Sequence, residues 1–310
     1  MRPYATVARR KARIMQRIVP CLWFDHTAAE AADFYVSVFP DARILDTHHY
    51  PTEGLPDWQK DFAGKPLSVD FELGGYHFIA LNAGPEFTIN PSISFMVNFD
   101  PSRDPGAREH LDALWAALAE GGDVHMPLDS YDFSPRYGWV QDRFGVNWQL
   151  ILTNPDGEER PAIVPSLMFS QRVENRAREA IDFYTQVFGG RVGLVAPYPA
   201  QQGPANAGSV MFGDFDLLGQ WFAAMDSAVE QDFTFNCAVS LVVECADQAE
   251  IDRYWEQLSS VPDAEQCGWC ADRFGVSWQV VPVNMAELMS KPGAYHQLLR
   301  MKKLEIAAFG

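Results

Sequence analysis

Gln149 and Gln279 each close one copy of a twelve-residue block. Gly138–Gln149 recurs as Gly268–Gln279, with changes only at Val140/Cys270, Gln141/Ala271 and Asn147/Ser277. A glutamine inside a sheet brings neutral donors and an acceptor that need partners, either in the sheet or in a ligand. Strand alternation sorts its neighbours. Val146, Trp148 and Leu150 share one face, suited to packing under helices, and Asn147, Gln149 and Ile151 share the other. Ile93, Phe95 and Val97 oppose Ser92, Ser94 and Met96 in the same way. The face turned from the helices is expected to carry Cys21, Trp23, Ser94, Trp139, Asn147 and Gln149 in the first half. Ser166, Met168, Ser240, Trp269, Ser277 and Gln279 are its counterparts in the second. An aromatic wall with a few neutral hydrogen-bonding groups suits a small-molecule site. Two satisfied inner-sheet amides are the equally weighted alternative.

Other candidate chemistry is weaker. Cys267 and Cys270 spell C-x-x-C, but the motif leads into a strand, whereas redox use places the first thiol at a helix N-terminus. No second pair completes a zinc site. The histidines, His48 and His49 on one strand and His26, His77, His110, His125 and His296 elsewhere, show no ligand spacing and read as surface or satisfied groups. Asp142 and Asp272 fit a hairpin turn, where Asp bonds nearby backbone. Ser94 has no nucleophile-elbow context.

The elements behind these residues are duplicated. Ile18-Val19-Pro20 matches Ile163-Val164-Pro165, Asp33-Phe34-Tyr35 matches Asp182-Phe183-Tyr184, and Trp115 and Leu118 match Trp255 and Leu258. A turn-rich polar linker at 154–159 separates the halves. Each half holds two amphipathic helices. Thr27 with Glu30, and Asp247 with Glu250, are capping-box signatures. Period-two stretches surround the helices, with Gly74-Gly75 as a hairpin turn. The order strand, helix, three strands occurs four times. Loops 51–66 and 198–208 are candidate pocket lids.

The chain of 310 residues is 47% hydrophobic and 13% aromatic, with a net charge of -17. Such a field repels a phosphate backbone, so nucleic acid is excluded as a partner. No apolar stretch approaches the roughly 18–20 residues of a membrane span. Residues 1–14 read as a flexible basic tail, with Met15 as an alternative start. The five cysteines form no disulfide framework, and a cytoplasmic location is expected.

Four βαβββ modules with a D-x-x-G-x-x-x-(Glu or Gln) hairpin resemble the vicinal oxygen chelate superfamily. That superfamily includes glyoxalase I, bleomycin- and fosfomycin-resistance proteins and extradiol dioxygenases. Within it, the chain looks like the PhnB-like family labelled 3-demethylubiquinone-9 3-methyltransferase. The resemblance rests on 20–24, 81–85, 126–129, Tyr137-Gly138-Trp139, Cys267-Gly268-Trp269 and 301–306. It implies an α+β fold of tandem glyoxalase-like domains, 15–153 and 160–310. It also implies a metal site in the metal-dependent members, with a glutamate where this chain has Gln149 and Gln279. The histidine expected at a first-strand start is Ser92 in one half and Ala238 in the other. A neutral amide and hydroxyl cannot neutralise a divalent cation as carboxylate and imidazole do.

The expectation is therefore a metal-independent binding protein without cofactor, taking a small hydrophobic or aromatic ligand, with a homodimer as a possible assembly. The alternative is an enzyme of the same fold: a lyase, dioxygenase, isomerase or the methyltransferase of the family label. That last option lacks the glycine-rich strand-to-helix turn usual for a methyl donor.

Overall fold

The computed structural model describes residues 16–310; the expected basic tail and the start at Met15 lie outside the described residues. The first module runs through β1 (Ile18–Phe24), α1 (Ala28–Val38), β2 (Arg43–His49), β3 (Pro66–Leu73) and β4 (Tyr76–Asn82). The second comprises β5 (Ile93–Phe99), α2 (Ala107–Ala119), β6 (Asp123–Tyr131), β7 (Ser134–Gln141) and β8 (Asn147–Leu152). The third comprises β9 (Ile163–Phe169), α3 (Ala177–Phe188), β10 (Gly190–Pro197), β11 (Val210–Leu217) and β12 (Gln220–Asp226). The fourth is shorter: β13 (Val239–Cys245), α4 (Gln248–Leu258), β14 (Trp269–Ala271) and β15 (Ser277–Pro282). Where its first returning strand was expected, the chain makes a 3-10 turn at Pro262–Ala264. The C-terminal segment supplies part of the missing edge, since the N–H groups of Cys267 and Gly268 donate to the carbonyls of Met301 and Lys302.

The halves exchange modules. One seven-stranded sheet has the order β14-β15-β13-β1-β4-β3-β2, and one eight-stranded sheet has β10-β11-β12-β9-β5-β8-β7-β6. The first module thus joins the fourth through β1 and β13, and the second joins the third through β5 and β9, both antiparallel.

The helix-bearing faces of both sheets feed one continuous core. Phe78 of β4 meets Phe95 of β5 with ring centroids 5.0 Å apart, and Tyr35 of α1 meets Trp148 of β8 at 5.4 Å. Buried aromatics of this size each contribute several kcal/mol, roughly 25 cal/mol per Å² of apolar area removed from water. Close approach demands glycine at Gly138, where a Cβ would lie 2.5 Å from the Trp115 ring. The strand alternation read from the sequence therefore put Phe95 and Trp148 on the core side.

One helix start differs from expectation. Thr27 makes no side-chain cap; instead Asn82 Oδ1, at the end of β4, accepts from Ala28 N–H at 2.9 Å. Asp226 repeats this for Ala177 at 3.0 Å. A long-range side chain thus satisfies the donor that a local cap would otherwise serve. At Asp247 the local cap does form, accepting from Glu250 N–H.

Candidate functional site

The duplicated hairpin is the rigid frame. Asp142 Oδ1 accepts from Phe144 N–H at 2.8 Å and Val146 N–H at 3.1 Å. Its Oδ2 accepts from the Tyr35 hydroxyl and the Trp148 indole, each at 2.8 Å. Asp272 has the same four donors in Phe274, Val276, Tyr184 and Trp278. Burial pushes both carboxyls up, and the four hydrogen bonds oppose it. The turn assignment from sequence holds. What sequence reasoning missed is that Tyr35 and Tyr184 reach in from helices of the neighbouring module; their shared place in the Asp-Phe-Tyr repeat was the available signal. Gly145 and Gly275 sit in these turns at φ +91° and +89°, a conformation that disfavours side chains.

The twelve candidate side chains fall on the sheet faces turned from the helices, but regrouped. Ser94, Trp139, Asn147, Gln149, Ser166 and Met168 lie in the eight-stranded cup. Cys21, Trp23, Ser240, Trp269, Ser277 and Gln279 lie in the seven-stranded cup. The registers show why: Ser94 pairs with Ser166, and Cys21 with Ser240.

In the eight-stranded cup, Gln149 Oε1 accepts from the Tyr137 hydroxyl at 2.7 Å and its Nε2 donates to Ser94 Oγ at 2.8 Å. The inward serine is Ser94, two residues beyond the Ser92 position that the resemblance singled out. Trp139 and Met168 pack with Tyr137, against Met126, Met225 and Phe233. Two polar atoms here, Trp139 Nε1 and Ser166 Oγ, are buried without a hydrogen-bond partner. Asn147 is turned to framework use: it bonds the Gly145 carbonyl at 3.2 Å and His125 at 3.0 Å.

In the seven-stranded cup, Gln279 Nε2 donates to Ser240 Oγ at 2.9 Å. Again the inward residue lies two beyond Ala238. Burial pushes the Cys21 thiol up to about 12, against opposing hydrogen bonds with Gln279 and Ser240. Trp23 stands edge-on to Trp269 at 6.0 Å and to Phe87 at 5.2 Å, with its indole donating to the Gly84 carbonyl. Burial pushes the Cys237 thiol up, and Ser277 opposes that shift. Val19, Cys21 and Val242 form an apolar floor with Ile79 and Leu81.

The C-x-x-C pair does not act as a unit. Cys270 is buried in the core, Cys267 is half-buried, and both are free. Loop 51–66 is tied down by Phe62 stacked on His26 and by Gln59, which accepts from Tyr295 of the short C-terminal helix Ala294–Leu298 at 2.7 Å.

The donor set does not fit the divalent ion of the metal-dependent superfamily members. Around Gln149 stand Ser94 and Ser166, and around Gln279 stand Ser240 and Cys21. Among the described residues no three His, Cys, Asp or Glu side chains converge as a metal site requires. No helix among them is long and apolar enough to cross a membrane.

Paired βαβββ modules forming two cupped sheets define a glyoxalase-like fold. It is similar to that of glyoxalase I from Zea mays, at a TM-score of 0.52 and 11% identity, over 88% of this chain and 95% of that one. The chain belongs to the family described as 3-demethylubiquinone-9 3-methyltransferase, whose model matches residues 16–151 and again 161–281. The PhnB protein from Bacillus cereus, described as a putative 3-demethylubiquinone-9 3-methyltransferase, is 32% identical, with a TM-score of 0.38 over 44% of this chain and 100% of that one. PA1353 from Pseudomonas aeruginosa is 26% identical, at 0.37 over 44% and 98%. Among curated proteins none matches.

Proposed function

We propose that this chain is a metal-independent small-molecule-binding protein whose ligand sites are the two cups. The carrying observation is the pair of buried, unpartnered groups in the eight-stranded cup, Trp139 Nε1 and Ser166 Oγ. An unmet buried polar group costs about 1–3 kcal/mol, so a ligand acceptor opposite the indole recovers free energy. The surrounding methionines and aromatics suit a hydrophobic or aromatic body. Neutral amides and hydroxyls orient such a ligand without a metal.

Two measurements test this reading. Mass spectrometry of small molecules released on denaturing the protein should recover a hydrophobic or aromatic compound, and Trp139→Phe should reduce its occupancy. Elemental analysis after dialysis should show no stoichiometric divalent metal; a retained ion that Gln149→Ala or Gln279→Ala releases would refute metal independence. We also propose the two sequence repeats, 15–153 and 160–310, as the evolutionary units, with a homodimer as the candidate assembly. The methyl transfer in the family description gains no support from the described sheets, where no glycine-rich strand-to-helix turn cradles a nucleotide-like donor.

A further inference from the structure

The seven-stranded cup carries a titratable cluster that the eight-stranded cup lacks. Register places Asp70 opposite Ile79 and pairs Ile79 with Cys21, so all three share the cup face. His77 lies two residues before Ile79, on that same face. Its Nε2 is 2.8 Å from Asp70 Oδ1, and both side chains remain partly open, at 24% and 19%. Glu244 of β13 is close enough to couple to both, and burial pushes its carboxyl up. His48 Nε2 stands 3.7 Å from the other Asp70 oxygen and 3.8 Å from Asp46. Glu72, paired in register with His77, is bridged by Arg43 at 3.3 Å. Arg17 is committed to Glu250 and to the Glu244 carbonyl.

The second cup keeps the aspartate and replaces its partners. Asp214 occupies the Asp70 place, since it pairs with Ala223 as Asp70 pairs with Ile79. It is held by Arg160 at 2.8 Å. Trp221 stands for His77, under the Arg160 guanidinium at 4.0 Å. Asn98 stands for Glu244. The same scaffold thus presents an inert cation–aromatic lid in one cup and an Asp–His pair in the other.

We propose that His77, oriented by Asp70, is the proton acceptor of the seven-stranded cup, acting on a weakly acidic organic ligand of the phenol class seated against the partly open Ile79 and Leu81 side chains. A neutral imidazole that donates Nε2–H to Asp70 keeps its lone pair on Nδ1, the arrangement used wherever a carboxylate fixes a histidine tautomer. The ligand O–H bond breaks, its electron pair stays on oxygen, and the proton forms the Nδ1–H bond. The resulting imidazolium lies between Asp70 and Glu244, so no oxidant or further reactant is needed. This inference rests on the cups being ligand sites.

4-Nitrophenol is a suitable probe, because binding is read by calorimetry and ionisation by visible absorbance. The full chain should hold the probe ionised at least about one pH unit below its midpoint in buffer. His77→Gln should reverse the sign, because Asp70 and Glu244 alone oppose an anion, while binding persists. Asp70→Asn should abolish most of the shift. Binding with an unshifted or raised midpoint in the wild-type chain overturns the proton-acceptor role and leaves the binding reading standing. Binding confined to the Trp139 cup does the same, whereas no binding to either cup overturns both. Denaturant unfolding of His77→Gln, compared with wild type, separates a folding defect from loss of the acceptor.

Discussion

The two cups share a framework and differ in what they present. Each has a block ending in glutamine, a serine that accepts from its amide, and a tryptophan paired in register with it. The eight-stranded cup adds Tyr137 on the amide oxygen and leaves an indole and a hydroxyl unpartnered. The seven-stranded cup puts Cys267 in place of Tyr137, a thiol at Cys21, and an Asp–His pair at its far end. Duplication conserved the parts that hold the hairpin together. The side chains facing the cup were free to diverge, because packing on the helix side does not constrain them.

The comparison breaks most severely if the shared frame is removed. Asp142→Ala or Asp272→Ala strands four donors each, and either should cost about 3–5 kcal/mol in denaturant unfolding. Equal losses would show that both hairpins carry the same load; a loss below about 1 kcal/mol at either would refute the shared frame. Next in size, Trp139→Ala should weaken ligand retention in the eight-stranded cup by about 2 kcal/mol, while Trp269→Ala leaves that cup intact. Joint loss would mean the cups are not independent.

A smaller effect distinguishes the floors. Because burial pushes Cys21 up to about 12, its thiolate is scarce at neutral pH. Iodoacetamide at pH 8 should leave Cys21 and Cys270 unlabelled in the folded chain, with all five cysteines labelled after unfolding. Rapid labelling of Cys21 would show that the seven-stranded cup floor is open to water.

The smallest expected effect is pH-dependent and lies at the junction of the halves. Burial works against the Glu250 charge, but the Ala246 N–H and the Arg17 guanidinium outweigh it and hold this carboxyl below its usual range. A depressed acid contributes stability above its unfolded value and loses it as pH falls through the folded one. Glu250→Gln should therefore be less stable than wild type at pH 7, and the difference should close on acidification below about pH 4. A constant difference across that range would remove Arg17–Glu250 as a charge-based link.

Much of this architecture could be read from residue order. The repeat, the Gly74-Gly75 hairpin, and the inward set at Ser94 and Gln149 all followed from residue order and local periods. The abbreviated fourth module did not, because part of its edge is met by hydrogen bonds to Met301 and Lys302, far along the chain. Asn82 as the cap of α1 was hidden for the same reason. The Asp70–His77 pair was missed for a local one: it depends on the register in which the Gly74-Gly75 hairpin closes.

Sequence by itself determined the duplication, the family resemblance and which side chains share a face. Those are properties of period and composition, set within a few residues. The tertiary structure alone decided which faces meet. Aromatic residues on the helix side of both sheets pack into one core, and that core holds the first module beside the fourth and the second beside the third. This long-range choice puts Gln149 with Ser166 and Gln279 with Cys21, and so makes one cup an amide-and-indole site and the other a thiol floor beside an Asp–His pair.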